Sequence, residues 1–239
     1  MVDVTKEIVA FSGGKDSTAL ALLMPDATPV FTDTGAEFPE LYAHIEKFEQ
    51  VTGREVVRLK SEYGSLLDYM KKYRFMPGHG ARYCTRIFKI ELFETFADTY
   101  SVALRADEDR VGNYSGKVSY PLQDMGIDLN GVLSTCLEHD LLPRFPLYMA
   151  RGGCMNCFYK RRTEVQAIHE LQPGYLDELQ DIEEYVQDER GKYAFMFPNT
   201  SRSIKNLRRQ ISMFDPEDVY REASDTSDYG VNCGLFCNR

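Results

Sequence analysis

The fold follows from one stretch near the N-terminus, IVAFSGGKDS at residues 8–17. Its first four residues form a short apolar run, which is typical of a buried strand. Two glycines and a lysine come next, and apolar residues then recur between residues 19 and 23 at helical spacing. The stretch therefore predicts a strand, a glycine-rich turn and a helix in direct succession.

The same order of elements continues along the chain. Further strands are predicted at residues 28–32 and 54–59, with a helix at residues 39–51 between them, and a fourth strand at residues 101–104. Alternation of strands and helices predicts parallel strands joined by right-handed crossovers. We therefore expect an α/β fold, a Rossmann-like doubly wound parallel sheet. Ligands of such sheets bind at the carboxyl ends of the strands, where the Ser-Gly-Gly and Asp-Thr-Gly turns lie.

The second part of the chain reads differently. Its apolar spacing predicts three helices, at residues 164–171, 175–188 and 203–214. We expect a division near residue 150, with an α/β domain at residues 1–150. Residues 151–239 would then form a helical C-terminal region that carries a CxxC pair and a terminal cysteine motif.

Composition narrows the functional classes. The 239 residues carry a net charge of −9, which disfavours a broad coat of nucleic acid. No apolar run approaches the roughly 18 residues that a membrane span needs, and the N-terminus lacks a basic region followed by an apolar stretch. We therefore expect no membrane contact and a cytoplasmic location. That compartment is reducing, so the six cysteines indicate metal binding or redox chemistry rather than structural disulfides.

The turn at residues 12–17 has the chemistry of a phosphate cradle. Two glycines let the backbone approach a phosphate and direct amide groups toward it. The N-terminus of the following helix adds a favourable dipole. Lys15 supplies a mobile cation, and the hydroxyls of Ser12 and Ser17 supply further donors. The spacing differs from that of the Walker loop.

This hexapeptide, SGGKDS, resembles the pyrophosphatase loop (PP-loop) of the adenine nucleotide α-hydrolases. Three further segments resemble the phosphoadenosine-phosphosulfate (PAPS) reductase-like branch of that superfamily. They are TDTGAEFPE at residues 32–40, RYCTRIFK at residues 82–89 and LRADEDR at residues 104–110. The resemblance implies a PP-loop ATP-binding domain in the first 150 residues.

The resemblance also implies which residues meet the nucleotide. ATP would lie across the ends of the first two strands, with the Asp33 turn near the adenosine. Lys89, Arg105 and Arg110 would face phosphate or a sulfur-bearing group. The implied nucleotide-binding residues are Ser12, Gly13, Gly14, Lys15, Asp16, Ser17, Asp33, Thr34, Gly35, Lys89 and Arg110. The implied catalytic residues are Lys15, Asp16, Arg105 and Cys233.

The cysteines suggest a cluster. Cys154 and Cys157 form a CxxC pair, a spacing that lets two thiolates hold one metal or cluster. Cys84 lies where relatives carry adjacent iron–sulfur ligands, although Tyr83 replaces one of them. We expect a [4Fe–4S] cluster held by Cys84, Cys154, Cys157 and a tail cysteine, Cys233 or Cys237, with zinc as the alternative. Cys136 reads as a small buried hydrophobic residue.

The resemblance implies an ATP pyrophosphatase-type enzyme that uses Mg²⁺ and adenylates an acceptor for sulfur transfer. Thiolated tRNA and phosphorothioate DNA are the products of relatives with intact loops. A cysteine desulfurase or another sulfur donor would be the partner, and a homodimer is left open. Basic residues at 159–162 and 202–209 are either contacts to nucleic acid phosphates or solvated helix faces.

Two alternatives remain. The tail sequence Cys233-Gly234-Leu235 resembles the end of sulfonucleotide (PAPS/APS) reductases, in which the cysteine attacks sulfur. A non-catalytic nucleotide-binding module is the other alternative. In these reductases the glycine-rich loop sequence is usually not preserved, whereas the loop is intact here. We therefore rank ATP cleavage first.

Overall fold

A single parallel sheet organises the computed structural model, which describes residues 7–109, 116–150, 152–190 and 195–211. Its five strands are β1 (Ile8–Ala10), β2 (Thr28–Asp33), β3 (Val57–Lys60), β4 (Tyr100–Ser101) and β5 (Val118–Ser119). They lie in the order β3-β2-β1-β4-β5, and every neighbouring pair is parallel. The predicted α/β class with a doubly wound parallel sheet is confirmed.

The helices in the described ranges follow the strands in the expected alternation. They are α1 (Lys15–Leu23), α2 (Pro39–Thr52), α3 (Leu66–Tyr73), α4 (Tyr83–Thr85), α5 (Glu91–Phe96), α6 (Pro121–Asp124), α7 (Leu129–Glu138), α8 (Arg162–Leu171), α9 (Pro173–Arg190) and α10 (Ile204–Ile211). A π turn, Arg86–Ile90, joins α4 to α5, and 3₁₀ turns cover Leu147–Met149 and Pro198–Thr200. None of these helices combines the length and apolar character needed to cross a bilayer.

The two faces of the sheet bury separate sets of side chains, because successive strand residues point to opposite sides. Val9 and Phe11 pack in the cluster that holds the buried residues of α1 and α2. Ile8 and Ala10 pack in the other cluster, with Phe93 of α5. The chain moves outward from β1 to β3 and then returns across the sheet to β4. Right-handed crossovers therefore place α1 and α2 on one face and α5 on the other.

Some predicted bounds were wrong. The fourth strand is Tyr100–Ser101 rather than residues 101–104, because the chain leaves the sheet after pairing with β1 and β5. The helical segment before β4 begins at Tyr83 and passes through the π turn into α5. The predicted helix at residues 203–214 extends beyond the described residues, which end at residue 211.

Candidate functional site

The glycine-rich turn connects β1 to α1 and has a backbone shape that requires glycine. Gly13 has φ +73°, a left-handed conformation that L side chains rarely adopt. A Cβ atom at Gly13 would stand 2.6 Å from Cδ1 of Leu41 in α2. Gly14 caps α1 in an extended conformation, so the turn ends at the amino terminus of the helix. The backbone of the turn thus lies at the positive end of the α1 dipole.

The two serines of the turn hold its ends together. The Ser17 Oγ accepts a hydrogen bond from the Ser12 amide at 3.2 Å and donates to the Gly14 carbonyl at 3.0 Å. The two hydroxyl oxygens also lie 3.1 Å apart. These hydroxyls, which the sequence assigned to a ligand, therefore close the turn on itself in this structure.

Asp16 lies between two cations at the start of α1. Its Oδ1 is 3.2 Å from Nη1 of Arg105, and its Oδ2 is 3.4 Å from Nζ of Lys15. The Asp16 residue is only 1% exposed. Arg105 belongs to the segment after β4, and Asp16 belongs to the phosphate turn. Their ion pair therefore joins that segment to the turn.

Arg105 is held by carboxylates on its own loop as well. Its Nε lies 2.8 Å from Oδ1 of Asp107, and its Nη1 lies 3.3 Å from Oε1 of Glu108. The sequence assigned Arg105 to a phosphate or sulfur-bearing group, and the structure places its guanidinium against Asp16, Asp107 and Glu108. Arg110, predicted to act beside it, lies outside the described residues.

The Asp33 turn follows β2 at the same edge of the sheet as the phosphate turn, because β1 and β2 are parallel neighbours. Oδ1 of Asp33 accepts hydrogen bonds from the Gly35 amide at 2.9 Å and from the Tyr42 hydroxyl at 2.7 Å. Its Oδ2 lies 3.4 Å from Nζ of Lys60. These contacts fix the turn that the sequence placed beside the adenosine.

Glu37 is a buried acid that sequence reasoning left without a role. Thr34 donates a hydrogen bond to its Oε1 at 2.7 Å, and Tyr42 and the Ala36 amide donate to Oε2, each at 3.2 Å. Burial raises the pKa of the Glu37 carboxyl, and the bond from Thr34 partly offsets this rise. Glu37 lies within the motif at residues 32–40. Its role was missed because a sequence does not show which of its acids are buried.

Three of the four expected metal ligands act on one another electrostatically. Burial raises the pKa of the Cys84 thiol, and the charges of Cys157 and Lys89 also act on it, in opposite directions. Burial likewise raises the pKa of the Cys154 thiol, on which Cys84 and Cys157 both act. These couplings place Cys84 of α4 within electrostatic reach of the CxxC pair, about seventy residues away in the chain.

The CxxC segment is held against the residues that follow the Asp33 turn. Glu37 and Cys154 form an isolated antiparallel bridge. The Phe38 amide donates to the Gly153 carbonyl at 2.7 Å, and the Met155 amide donates to the Ala36 carbonyl at 2.8 Å. The cysteines thus lie beside the candidate nucleotide site.

Leu41 lies between the two glycine-containing segments. A Cβ atom at Gly153 would stand 2.3 Å from Cδ2 of Leu41, whose other methyl carbon approaches Gly13. One buried side chain therefore fills the space between the phosphate turn and the CxxC segment.

The thiols do not by themselves complete a metal site. Within residues 7–109, 116–150, 152–190 and 195–211, no three His, Cys, Asp or Glu side chains form a group that could hold a metal ion. The Cys154 Sγ donates to Oδ1 of Asn156 at 2.9 Å. Soft thiol donors suit iron–sulfur clusters and zinc. In the described residues, however, the thiols do not form a complete set of ligands. The expected fourth ligands, Cys233 and Cys237, lie outside the described residues.

Parts of the predicted basic stretches are paired or buried. Lys160 is fully buried, donates from Nζ to the Tyr148 carbonyl and lies 3.8 Å from Glu164, so for this residue neither the phosphate contact nor the solvated face is correct. A cation inside the protein cannot reach an external phosphate. Arg208 pairs with Asp177 of α9 at 2.5 Å, and Lys205 lies 3.7 Å from Glu184.

A parallel sheet with a glycine-rich turn leading into its first crossover helix defines an α/β protein with a Rossmann-like fold. The family model of the phosphoadenosine phosphosulfate reductase domain matches residues 6–108. Residues 6–108 are therefore similar to this reductase domain, and they make up less than half of the 239 residues.

Individual relatives match over part of their length. An uncharacterized protein of Methanocaldococcus jannaschii is 35% identical over 96 residues, which cover 38% of this chain and 19% of that protein. A second uncharacterized protein of this organism is 30% identical over 105 residues, covering 42% of this chain and 25% of the relative. The matches thus span about a fifth to a quarter of these curated relatives.

A solved structure also aligns with the chain. It is a phosphoadenylyl-sulfate (PAPS) reductase from Candida auris, determined as a phosphate complex. It aligns with a TM-score of 0.40 and 17% identity, over 56% of this chain and 72% of that one.

Proposed function

We propose that the protein binds ATP at the turn between β1 and α1 and cleaves it between the α and β phosphates to adenylate an acceptor for sulfur transfer. The observation that carries this proposal is the intact turn itself. Gly13 and Gly14 place the backbone of the turn at the positive end of α1, with Lys15 beside them and the Asp33 turn after the neighbouring strand. These features suit a triphosphate at the sheet edge with its nucleoside over β2.

The proposed reaction has two displacements. An acceptor oxygen attacks the α phosphorus, the bond from the α phosphorus to the bridging oxygen breaks, and pyrophosphate leaves. Lys15 and the amides of the turn stabilise the charge that develops on the phosphates. Bound Mg²⁺ would neutralise the phosphate oxygens and support departure of pyrophosphate.

Sulfur then replaces AMP. The terminal sulfur of a persulfide attacks the adenylated acceptor, AMP leaves with the acceptor oxygen, and a disulfide joins donor and product. A second thiol reduces that disulfide and releases the thiolated product. A cysteine desulfurase or a related donor would supply the persulfide, and a tRNA or a DNA would be the acceptor.

The cysteine cluster stands as a second part of the proposal. Cys84, Cys154 and Cys157 would hold a [4Fe–4S] cluster, or zinc, together with Cys233 or Cys237. Their electrostatic coupling and their position beside Glu37 support this assignment. When bound, a cluster would supply a soft site for sulfur next to the nucleotide.

The match to the PAPS reductase domain favours one alternative activity, a sulfonucleotide reductase with Cys233 as nucleophile. It would release sulfite from a sulfonucleotide in the presence of a thiol, without ATP. A non-catalytic nucleotide-binding module would bind ATP and release no product.

The labelled products of α-³²P-labelled ATP, together with an enzymatic assay for pyrophosphate, separate these activities. We expect labelled AMP or adenylated acceptor together with pyrophosphate, and loss of both in Lys15→Ala. Lys47→Ala is the matched control, because Lys47 pairs with Asp140 at the protein surface. Release of ADP and phosphate would contradict the proposal. Sulfite release that Cys233→Ser abolishes would support the reductase instead.

A further inference from the structure

A surface of exposed aromatic rings and cations lies beside the candidate nucleotide site and is not used by the chemistry above. We call it the aromatic–basic surface, and it comprises Tyr63, Tyr69, Lys72, Tyr73, Phe75 and Arg86. Tyr63, Tyr73 and Phe75 are 40%, 41% and 39% exposed, respectively, which is unusual for large rings grouped together.

The rings form one connected set. Tyr69 lies at its centre, with ring centroids 5.5 Å from Tyr63 and 4.4 Å from Tyr73. The buried Tyr83 ring joins Tyr69, at 5.0 Å, to Phe75, at 5.5 Å. Because each ring supports the next, their faces are held in place before any partner arrives, which lowers the entropy lost on binding.

Cations border these rings. Nζ of Lys72 lies 5.3 Å from the centroid of Tyr73. Burial raises the pKa of the Tyr69 phenol and the charge of Arg86 lowers it, which places Arg86 within electrostatic reach of that ring. The Arg86 side chain is 70% exposed and pairs with Glu91 at 3.3 Å, an exposed pair that a phosphate can replace at little cost.

The charge of this segment is opposite to that of the whole chain. Residues 60–91 contain seven Lys and Arg against three Asp and Glu, a net charge of +4, whereas the 239 residues carry −9. Lys60 and Lys71 pair with Asp33 and Glu178 outside the segment, so Lys72 and Arg86 are the cations of this surface that attract an anionic partner. Cations that track phosphates, alternating with rings on which bases stack, are the features that bind single-stranded nucleic acid.

The surface also lies against the Asp33 turn on one side and next to Cys84 in the chain on the other. Ser65 caps α3, which carries Tyr69 and Tyr73, and a Cβ at Gly35 of the Asp33 turn would stand 2.8 Å from Cβ of Ser65. The Leu66 amide donates to the Thr34 carbonyl at 2.8 Å. At the other end, Tyr83 directly precedes Cys84. The rings therefore lie between the adenosine side of the site and the cysteines.

We infer that the aromatic–basic surface binds an unpaired, single-stranded region of a nucleic acid and presents it to the nucleotide site as the acceptor. The assignment of this strand as acceptor rests on the proposed function, whereas its binding does not. Duplex nucleic acid fits poorly, because its bases stack on one another and offer no free faces to tyrosine rings.

Fluorescence anisotropy of the full-length protein tests this inference. The probes are labelled single-stranded DNA and RNA of one mixed sequence, roughly 20 nucleotides long, and the corresponding duplexes. We expect tighter binding of single strands than of duplexes. The double variant Tyr63→Ala/Tyr73→Ala should weaken single-strand binding by about tenfold or more. Tyr63→Phe/Tyr73→Phe keeps the rings and should bind like the wild type.

The cations have a separate signature. Lys72→Ala/Arg86→Ala should reduce the slope of log affinity against log salt by roughly 1.4, the value for two phosphate contacts on a single strand. Lys117→Ala is the matched charge control, because Lys117 directly precedes β5 at the opposite edge of the sheet. Leu137→Ala removes a comparably exposed apolar side chain on α7 and should also bind normally.

Three results would overturn the inference: no oligonucleotide binding at low salt, equal binding of duplexes, or unchanged affinity in folded Tyr63→Ala/Tyr73→Ala. Far-ultraviolet circular dichroism establishes that each variant is folded. Failure of the proposed function is a distinct outcome. A protein that binds single strands through these residues but releases no pyrophosphate keeps this inference and loses the adenylation reaction.

Discussion

Asp16 and Arg105 form a buried ion pair that joins the first residues of α1 to the loop after β4. Oδ1 of Asp16 lies 3.2 Å from Nη1 of Arg105, and the two side chains are 2% and 5% exposed. The residues are 89 positions apart in the chain, yet both belong to motifs at the carboxyl edge of the sheet. The phosphate turn and the Arg105 loop are therefore one electrostatic unit.

Removing Arg105 should destabilise the protein more than removing a surface arginine. Arg105→Met leaves Asp16 buried with one cation fewer, and breaking a buried pair costs about 3–5 kcal/mol. Arg58→Met is the control, since the Arg58–Glu49 pair is partly exposed at 35% and 23%, and it should cost about 1 kcal/mol or less. Urea unfolding followed by circular dichroism measures both.

A double-mutant cycle identifies the pair as the cause. Asp16→Asn together with Arg105→Met should lose clearly less stability than the sum of the single losses. Losses that add within about 0.5 kcal/mol would show that the two side chains act independently.

Gly153→Ala should affect ATP binding although Gly153 belongs to the cysteine segment. The new Cβ would approach Cδ2 of Leu41 to 2.3 Å, and such overpacking costs about 1–3 kcal/mol. Leu41 must then move, and its Cδ1 is the atom that covers Gly13. We expect a lower melting temperature and weaker ATP binding in calorimetry.

Gly174→Ala is the matched control, because nothing lies within 4 Å of a Cβ at that position. It should retain wild-type affinity for ATP. If Gly153→Ala lost stability while binding ATP normally, Leu41 would not couple the two segments.

The cysteine cluster predicts a specific pattern of metal content. Protein purified without oxygen should contain iron and acid-labile sulfide, or zinc. Cys84→Ser, Cys154→Ser and Cys157→Ser should each lower that content. Cys136→Ser should retain it, because the Cys136 thiol is buried against the Lys15 carbonyl at 3.4 Å. Elemental analysis and visible absorption are the measurements, and equal loss in all four variants would refute the assignment.

Stability should fall in mild acid because of His44. Burial, with a smaller contribution from Lys47, lowers the pKa of this imidazole from 6.5 to about 4. Its Nε2 lies 3.1 Å from the Thr18 hydroxyl, between α1 and α2. Between these two pH values the His44 imidazole is protonated in the unfolded chain and neutral in the folded protein. The free energy of unfolding therefore declines as the pH falls from 6.5 toward 4. The full effect is about 3 kcal/mol.

His44→Gln isolates this effect, because glutamine can bond to Thr18 and does not titrate. Melting temperatures at neutral pH and near pH 4.5 should differ less in the variant than in the wild type. Parallel pH profiles for the two proteins would exclude His44 as the cause.

Local sequence predicted the elements that depend on neighbouring residues. The apolar run at residues 8–11 and the glycines after it specify strand and turn, since burial and positive φ are local requirements. The bounds of β4 were missed because its two residues are defined by pairing with β1 and β5, which the sequence does not display. Both alternatives for Lys160, a phosphate contact and a solvated face, missed its burial, because the burial of a lysine depends on distant partners such as Tyr148.

The sequence by itself determined the order of strands and helices, the glycine-dependent turn and the similarity of residues 6–108 to the phosphoadenosine phosphosulfate reductase domain. Only the tertiary structure decided that Arg105 meets Asp16, that Cys84 lies within electrostatic reach of the CxxC pair and that Leu41 lies between Gly13 and Gly153. Local elements follow from backbone conformation and side-chain periodicity within a few residues. Contacts between distant segments follow from the strand order and the packing of helices on two faces of the sheet, which exist only once the whole chain has folded.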